Sequence, residues 1–543
     1  MSKEKKNAFL VQGTILALAS IMVRFVGIIY RIPLQRLLGD EGMGYYSTAY
    51  EIYSVLLILS SFSLPTAISK LVSTRVAKKE YENVRRLFFG GIVIAIVFGG
   101  IAAIVLYVFS DNLAHMFKFD ESALALRTLA PTLFLVALMG VLRGFFQGFG
   151  STVPTAISQI IEKIVQVALS LILCRHFLKL MAGEELKLSY AAMGATMGNC
   201  FGAIAGLLFL VFGYVSIAGF IKKKSRKQKK QIMGYKEIFT LMILTIIPVL
   251  LSTTVNNISN ICDNFIVGNV LTIKGFSDTE IARMWGILSN KYRTFITLPV
   301  SVASALAVST MPSMSKAVAV GNKRLAMDKI GLSVRFVYLF SAPCAVGVMI
   351  LANPLLQLLY YDGVTGNEMG TYLLWIGCVT IILSSLVAIT NAILQGLGHL
   401  NMPVIHCVIG LVVHIIVAVA CMMIFNLSIY SIVVAEIALT VTVLILNFRF
   451  IFINYDYRQE IKRTFVIPSI CAAIMGCFIS ATYYLLRIFT HSRVILLMIP
   501  FVVAVVVYFV MLFVLGGLNE QEIEQFPKGR YIIKFYKMLH LIK

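Results

Sequence analysis

What most constrains this chain is a series of apolar runs, each about as long as a bilayer's hydrocarbon core is thick. A membrane-crossing helix needs about 20 largely apolar residues. Runs of that kind read at 8–38, 46–70, 87–110, 123–147, 154–181, 190–220, 237–270, 282–311, 331–354, 369–396, 402–425, 428–452, 466–489 and 493–517. Every connection between them is short, so no soluble domain fits. Only 13% of the residues are charged and 59% are hydrophobic, about half the charged fraction of an ordinary soluble domain. The expected fold class is an all-α polytopic membrane protein with fourteen transmembrane helices.

The charges then set a direction. Basic clusters fall at Lys70–Arg86, Ile221–Lys230, Lys316–Lys329 and Arg449–Arg463, and in the tail from Gly517. With the N-terminus cytoplasmic, almost all of them lie inside. The opposite loops at 39–46 and 360–370 are poor in lysine and arginine. Fourteen spans with both termini cytoplasmic satisfy the positive-inside rule. The net charge of +22 therefore reads as topology, with no nucleic-acid partner. The first run is long and lacks a small-residue cleavage motif, so it reads as a retained span and not a signal peptide. The tail, 518–543, interleaves aromatic and aliphatic residues with lysines, the pattern of an amphipathic helix on the inner surface.

The basic segment 221–236 reads as a cytoplasmic linker between an N-lobe, 1–220, and a C-lobe, 237–452, of six spans each. The lobes echo one another. QGFGSTVP (147–154) returns as QGLGHLNMP (395–403), and LPTAISKLVSTRVAKKE (64–80) returns loosely as MPSMSKAVAVGNK (311–323), at nearly the same offset. Six spans is an even number, so the repeats are parallel and pseudo-symmetric about an axis along the membrane normal. Transporters bind substrate between such halves and rock them in alternating access. The region 453–517 adds two C-terminal helices that have no repeat partner.

Polar residues inside the spans point to the site. Ser20, Arg24, Gly27 and Arg31 form one helical stripe on the first span. The first span of the C-lobe carries a similar stripe of Ser252, Asn256, Ser259 and Asp263, flanked by Asn260. Span 2 offers Ser47, Glu51 and Ser54; span 8 offers Lys291 and Arg293. A charge at mid-bilayer costs at least about 2.5–3.5 kcal/mol unless it lines a wet cavity or is paired. Arg36, Lys118 and Arg175 lie near span ends, where long side chains reach the interface. Arg24 lies too deep for that, ~24 Å along the helix at 1.5 Å per residue. Its alternatives are a structural pair with Glu51, as for Arg293 with Asp263, or an internal anion site. An arginine-lined cavity with few carboxylates suits a diphosphate, because guanidinium bonds phosphate in a two-point fork. The candidate substrate-binding set is Arg24, Arg31, Arg293, Lys291, Glu51, Asn256 and Asn260. Asp263 and Glu162 are candidates for ion coupling; Glu162 and Lys163 either pair locally or face the cavity.

Other chemistry is absent from the sequence. The nine cysteines sit in apolar runs without a CxxC, and read as packing. His406 and His414 share a face of span 11 without a third ligand, so no metal site is expected. There is no phosphate-binding glycine loop, no serine–histidine–acid set and no HExxH. The chain reads as a non-enzyme without cofactor, driven by sodium or proton coupling or by membrane potential alone.

The segment LPVSVASALAVSTMPSMSKAVAVGN (298–322) resembles the span-8 signature of the MurJ-type lipid II flippases, and Arg24-Phe-Val-Gly with GDEG (39–42) resembles their first span. The basic N-terminus, the fourteen spans and the QGxG turns look most like the SpoVB-type polysaccharide transporters of Gram-positive bacteria. Both belong to the multidrug/oligosaccharidyl-lipid/polysaccharide (MOP) exporter superfamily. The resemblance covers essentially the whole chain. It implies a bacterial plasma-membrane protein, acting as a monomer, with two six-helix lobes around a cavity. That cavity would take the diphosphate–sugar head of an undecaprenyl lipid, and spans 13–14 would form the groove for its tail. Arg24 and Arg293 fall at, or within a residue of, family positions. Arg31 is one place off, where this chain has Tyr30, and Glu51 and tyrosines stand where the family has a span-2 arginine. The expected function is a flippase for a lipid-linked cell-wall precursor, with lipid II leading. Alternatives are a carrier of another lipid-linked polysaccharide unit, a cation-coupled multidrug antiporter, or a membrane glycosyltransferase using an acidic loop such as that at Asp362.

Overall fold

The computed structural model describes residues 19, 22–23, 25–62, 64–225, 232–319, 323–360 and 364–517. Among them all regular structure is helical and no strand occurs. About eleven stretches are long and apolar enough to cross a membrane, as the backbone must in lipid, where only a helix or a closed barrel satisfies every amide. One of them, Phe25–Ala77, runs for 53 residues and covers the ground of the first two expected spans. The helices Tyr235–Ile273 and Arg293–Ala319 lie where spans 7 and 8 are expected.

The loop expected at 39–46 is helix instead. Two helices meet within Arg31–Leu57 at a kink, where Gly39 adopts a non-helical backbone with φ 68°. Glu41 and Tyr45 share a hydrogen bond of 3.0 Å along the second of them, so the acidic residues mark a kink and not a surface loop. Packing explains why the chain stays helical here. A Cβ on Gly44 would overlap the carbonyl oxygen of Ala282, and one on Gly286 would overlap that of Asp40. Glycine at both crossings lets the Arg31–Leu57 and Asp278–Gly286 helices meet backbone to backbone, as small residues do in membrane bundles.

The chain divides into two compact units, 1–290 and 291–543. In the first, Ile68, Val72, Leu87, Phe88, Val141, Phe145 and Leu210 form a buried core. Phe88 stacks on Tyr214 with ring centroids 4.2 Å apart. Ile238 and Met242 of the Tyr235–Ile273 helix belong to that same core. The described ends of the basic linker are tied to the helix Tyr81–Ile94. Ser225 bonds Glu82, the Met233 amide donates to Asn83 Oδ1 at 3.0 Å, and Arg86 donates to the Met233 carbonyl at 2.9 Å. Packing therefore carries the first unit past the linker at 221–236, as far as Asn290.

In the second unit, one core joins Val334, Val337, Ile389, Ile393, Leu394 and Ile451. A second core fixes the last two helices, Ile467–Phe489 and Arg493–Val514. Cys471, Met475, Ile479 and Leu512 pack with Leu339, Ala342 and Leu351 of the Lys323–Leu359 helix, and the Tyr508 hydroxyl donates to the Leu339 carbonyl at 2.8 Å.

The two QGxG segments build the same turn. Gly150 and Gly398 have φ of 85° and 95°. The Gly150 amide donates to the Gln147 carbonyl and the Ser151 amide to that of Phe146. The Gly398 amide donates to Gln395 and the His399 amide to Leu394 in the same way. Each is a helix-ending turn that closes on a left-handed glycine, and each feeds a helix with proline in its first turn, Pro154 or Pro403.

Candidate functional site

In the first unit the polar residues of the apolar helices converge on Arg31. Its Nη1 donates to the Ser289 carbonyl at 3.4 Å. One turn on, Gln35 is fully buried; it donates to Asp40 and accepts from Asn290 Nδ2 at 2.5 Å. Ser289 and Asn290 lie in the π-helical turn Ile287–Tyr292. Such turns widen the helix and are frequent at functional sites.

Beside Arg31 stands a tyrosine group. Tyr30 and Tyr46 share a hydrogen bond between hydroxyls. Tyr46 and Tyr50 stack at 6.1 Å, and Tyr53 lies 5.8 Å from Tyr50. Lys163 places its ammonium 5.2 Å above the Tyr30 ring. Tyrosines at a seven-residue span on one helix and two cations at their edge make a surface that combines flat aromatic faces with positive charge.

Further along the Arg31–Leu57 helix, Thr48 Oγ1 and Glu51 Oε2 accept from Asn264 Nδ2 of the Tyr235–Ile273 helix at 3.0 and 2.9 Å. Asp263 is buried beside it, with 3% of its surface exposed, and Asn260 is exposed. The structure thus brings Glu51 to the helix that carries Asn260 and Asp263. Glu162 is held by Arg143 at 2.6 Å, on the preceding helix, and not by its neighbour Lys163. Arg24 lies outside the described residues, as does the side chain of Asn256.

In the second unit, Lys291 is fully buried. It donates to Asn367 Oδ1 at 3.2 Å and stands 5.7 Å over the Tyr360 ring. Tyr292 donates to Glu436 Oε2 at 3.0 Å. Arg293, half-buried, starts the next helix. His406 shares a 2.7 Å hydrogen bond with Asn447, which donates to Thr390 and Asn391. Among the described residues no group of three or more metal-ligating side chains forms. Arg36 and Arg175 are exposed near helix ends.

The sequence reading misses Asn264 and reaches the span-2 tyrosines only through the family resemblance. A signal for the first exists: Asn256, Asn260 and Asn264 recur every four residues, a second stripe beside the one ending at Asp263. The tyrosines give no such signal, since aromatic residues in an apolar helix read as packing.

Residues 10–318, more than half of the 543, match the polysaccharide biosynthesis protein family. The chain belongs to that family. Residues 248–420 also match the MatE family. The lipid II flippase MurJ of Bacillus subtilis is 26% identical, over 88% of this chain and 89% of its own length. Stage V sporulation protein B of the same organism is 26% identical over 65% of this chain and 67% of its own. Among solved structures, the lipid II flippase MurJ in an inward closed conformation shares the fold with a TM-score of 0.66 at 15% identity, covering 92% of this chain and 98% of that one. An inward-facing multidrug resistance MATE transporter of the MOP superfamily reaches 0.67 at 14% identity, covering 79% and 93%. Of these, MurJ and the MATE protein are transporters and flippases, not enzymes. This member of the polysaccharide biosynthesis protein family is therefore a multi-pass membrane transporter of the MOP superfamily.

Proposed function

We propose that the protein is a flippase that carries an undecaprenyl-diphosphate-linked cell-wall precursor, with lipid II as the leading substrate, from the inner to the outer leaflet by alternating access. Arg31 carries the reading. It is a guanidinium within a long membrane-spanning stretch, next along the chain from Tyr30, whose ring lies under Lys163 and whose hydroxyl meets that of Tyr46. Cations would take the diphosphate, and the aromatic faces would take sugar rings. Arg24, about two helical turns earlier on the stripe, would extend the cationic path, and Arg293 and Lys291 are the candidate cations of the second unit. In this reading the chain has fourteen spans in two parallel lobes, 1–220 and 237–452, with both termini cytoplasmic. The pair of helices in 453–517 serves the lipid tail, and the protein works as a monomer. The full-length similarity to a lipid II flippase supports the substrate class. Asp263 and Glu162 are the candidates for ion coupling, and Arg143 holds Glu162. Membrane potential alone would supply about 2.3 kcal/mol per charge per 100 mV.

The test is a leaflet assay in cells lacking other flippases. Depleting the protein should leave lipid II inaccessible from outside; unchanged exposure sinks the proposal. In complementation, Arg24→Ala and Arg31→Ala should fail while Arg36→Ala, at an exposed helix edge, succeeds.

A second reading, a cation-coupled drug antiporter, draws on the MatE match over 248–420 and the MATE-like fold. The half-buried Glu51 and the buried Asp263 would then bind cationic drugs or the coupling ion.

A further inference from the structure

The helix Val153–Leu180 carries two adjacent ionisable groups that turn apart. Glu162 is bonded to Arg143, whose Nε also donates to Ser158 Oγ at 3.0 Å. Lys163 points the other way, donating to Gln166 Oε1 at 3.1 Å. Gln166 in turn donates its amide to Asn199, which fixes the oxygen toward the lysine. The ammonium therefore has a defined place.

That place adjoins the stripe of the first span. A Cβ on Gly27 would lie 3.2 Å from both Cε and Nζ of Lys163. Gly27 falls between Arg24 and Arg31 on the stripe and is its one member with no side chain. Lys163 reaches into the notch so left, with Tyr30 beneath it. Lys163 thus enters the stripe one helical turn before Arg31. Two like charges in a poorly solvated site repel. An anion between them converts that repulsion into attraction from both sides.

We propose that Lys163 is a binding residue for the anionic head group: across the notch at Gly27 it joins Arg31 in holding one phosphoryl group of the diphosphate. An ammonium has three donors. Gln166 takes one, and the others face phosphoryl oxygens. A bulky side chain at Gly27 would take the place of the amine, whose Cε and Nζ lie 3.2 Å from a Cβ there. The inference rests on the flippase reading and adds a cation from the fifth span to it.

The experiment uses the full chain in detergent micelles, with undecaprenyl diphosphate as probe and undecaprenol as the uncharged control. Lys163→Gln should weaken diphosphate binding about tenfold or more, the worth of one charge-assisted hydrogen bond. It should also flatten the dependence on salt and leave undecaprenol binding unchanged. Lys163→Arg should stay within a few-fold of the parent, since it keeps the charge. Gly27→Leu keeps the lysine but fills its notch; it should behave as Lys163→Gln does and repeats the test if that variant fails to purify. Diphosphate binding and salt dependence that survive both Lys163→Gln and Gly27→Leu overturn the role of Lys163 and leave the flippase reading standing. A parent protein that binds the diphosphate no better than the alcohol overturns that reading, and the role of Lys163 with it.

Discussion

Glu51 shows what an acidic side chain within an apolar helix requires. Its carboxylate accepts from Asn264, which also donates to Thr48, so one amide links two helices through two acceptors. Removing that donor while leaving the carboxylate in place should cost about 1–3 kcal/mol, since the unsatisfied group keeps its desolvation penalty. Asn264→Leu should therefore lower the thermal unfolding midpoint in detergent, and adding Glu51→Gln should recover part of the loss. No recovery would mean that the amide acts through packing alone. Lys291 makes the complementary point: its ammonium is fully buried against Asn367 and Tyr360. Its charge is legible in the sequence, but its partners come from far along the chain, Asn367 in the helix Val364–Gly396 and Tyr360 just past the end of Lys323–Leu359. Hydropathy sees a charge; only packing shows what compensates it.

At the scale of elements, the two QGxG turns are legible from the residues alone. The motif pairs a helix end with the residue that tolerates a left-handed backbone, and both copies adopt it. Gly150→Ala and Gly398→Ala should each destabilise by about 1–2 kcal/mol, the cost of a Cβ in that conformation, read as a fall in unfolding midpoint; no fall at either would refute the turn argument. The helix Asp278–Gly286 starts with a reciprocal capping box between Ser277 and Glu280. The Ser277 backbone amide, followed by its hydroxyl, holds the Glu280 carboxyl below the usual carboxylate range. A depressed acid stabilises above its unfolded value and loses that contribution as pH falls through its folded value. The protection of amides at the start of this helix, relative to their intrinsic exchange rate at each pH, should therefore fall in acid, below the ordinary glutamate pKa of about 4.3, and Glu280→Gln should remove that dependence. The loop at 39–46 misled for the opposite reason. Its acidic residues and glycines look like a turn, yet glycine there serves close helix contact at Ala282.

For the whole molecule, the choice lies between a lipid-linked substrate and a soluble drug. Deleting the gene should leave susceptibility to cationic drugs unchanged while blocking exposure of the lipid precursor; a strain made drug-sensitive with normal precursor exposure would favour the antiporter. Membrane residence, helical class, family and superfamily were all open to a reader of the sequence. Apolar run length and charge asymmetry act locally along the chain, and the bilayer reads them in the same way. The partners of the buried polar groups were not. That Glu162 turns to Arg143 while Lys163 turns to Tyr30 depends on which neighbouring helix presents which face. The stretch with Arg24, Arg31 and Arg36 thus had its charges counted by sequence. Tertiary structure decided that Arg31 sits with Ser289 and a tyrosine group while Arg36 stays exposed. Periodicity assigns residues to a face, but only packing decides what that face meets.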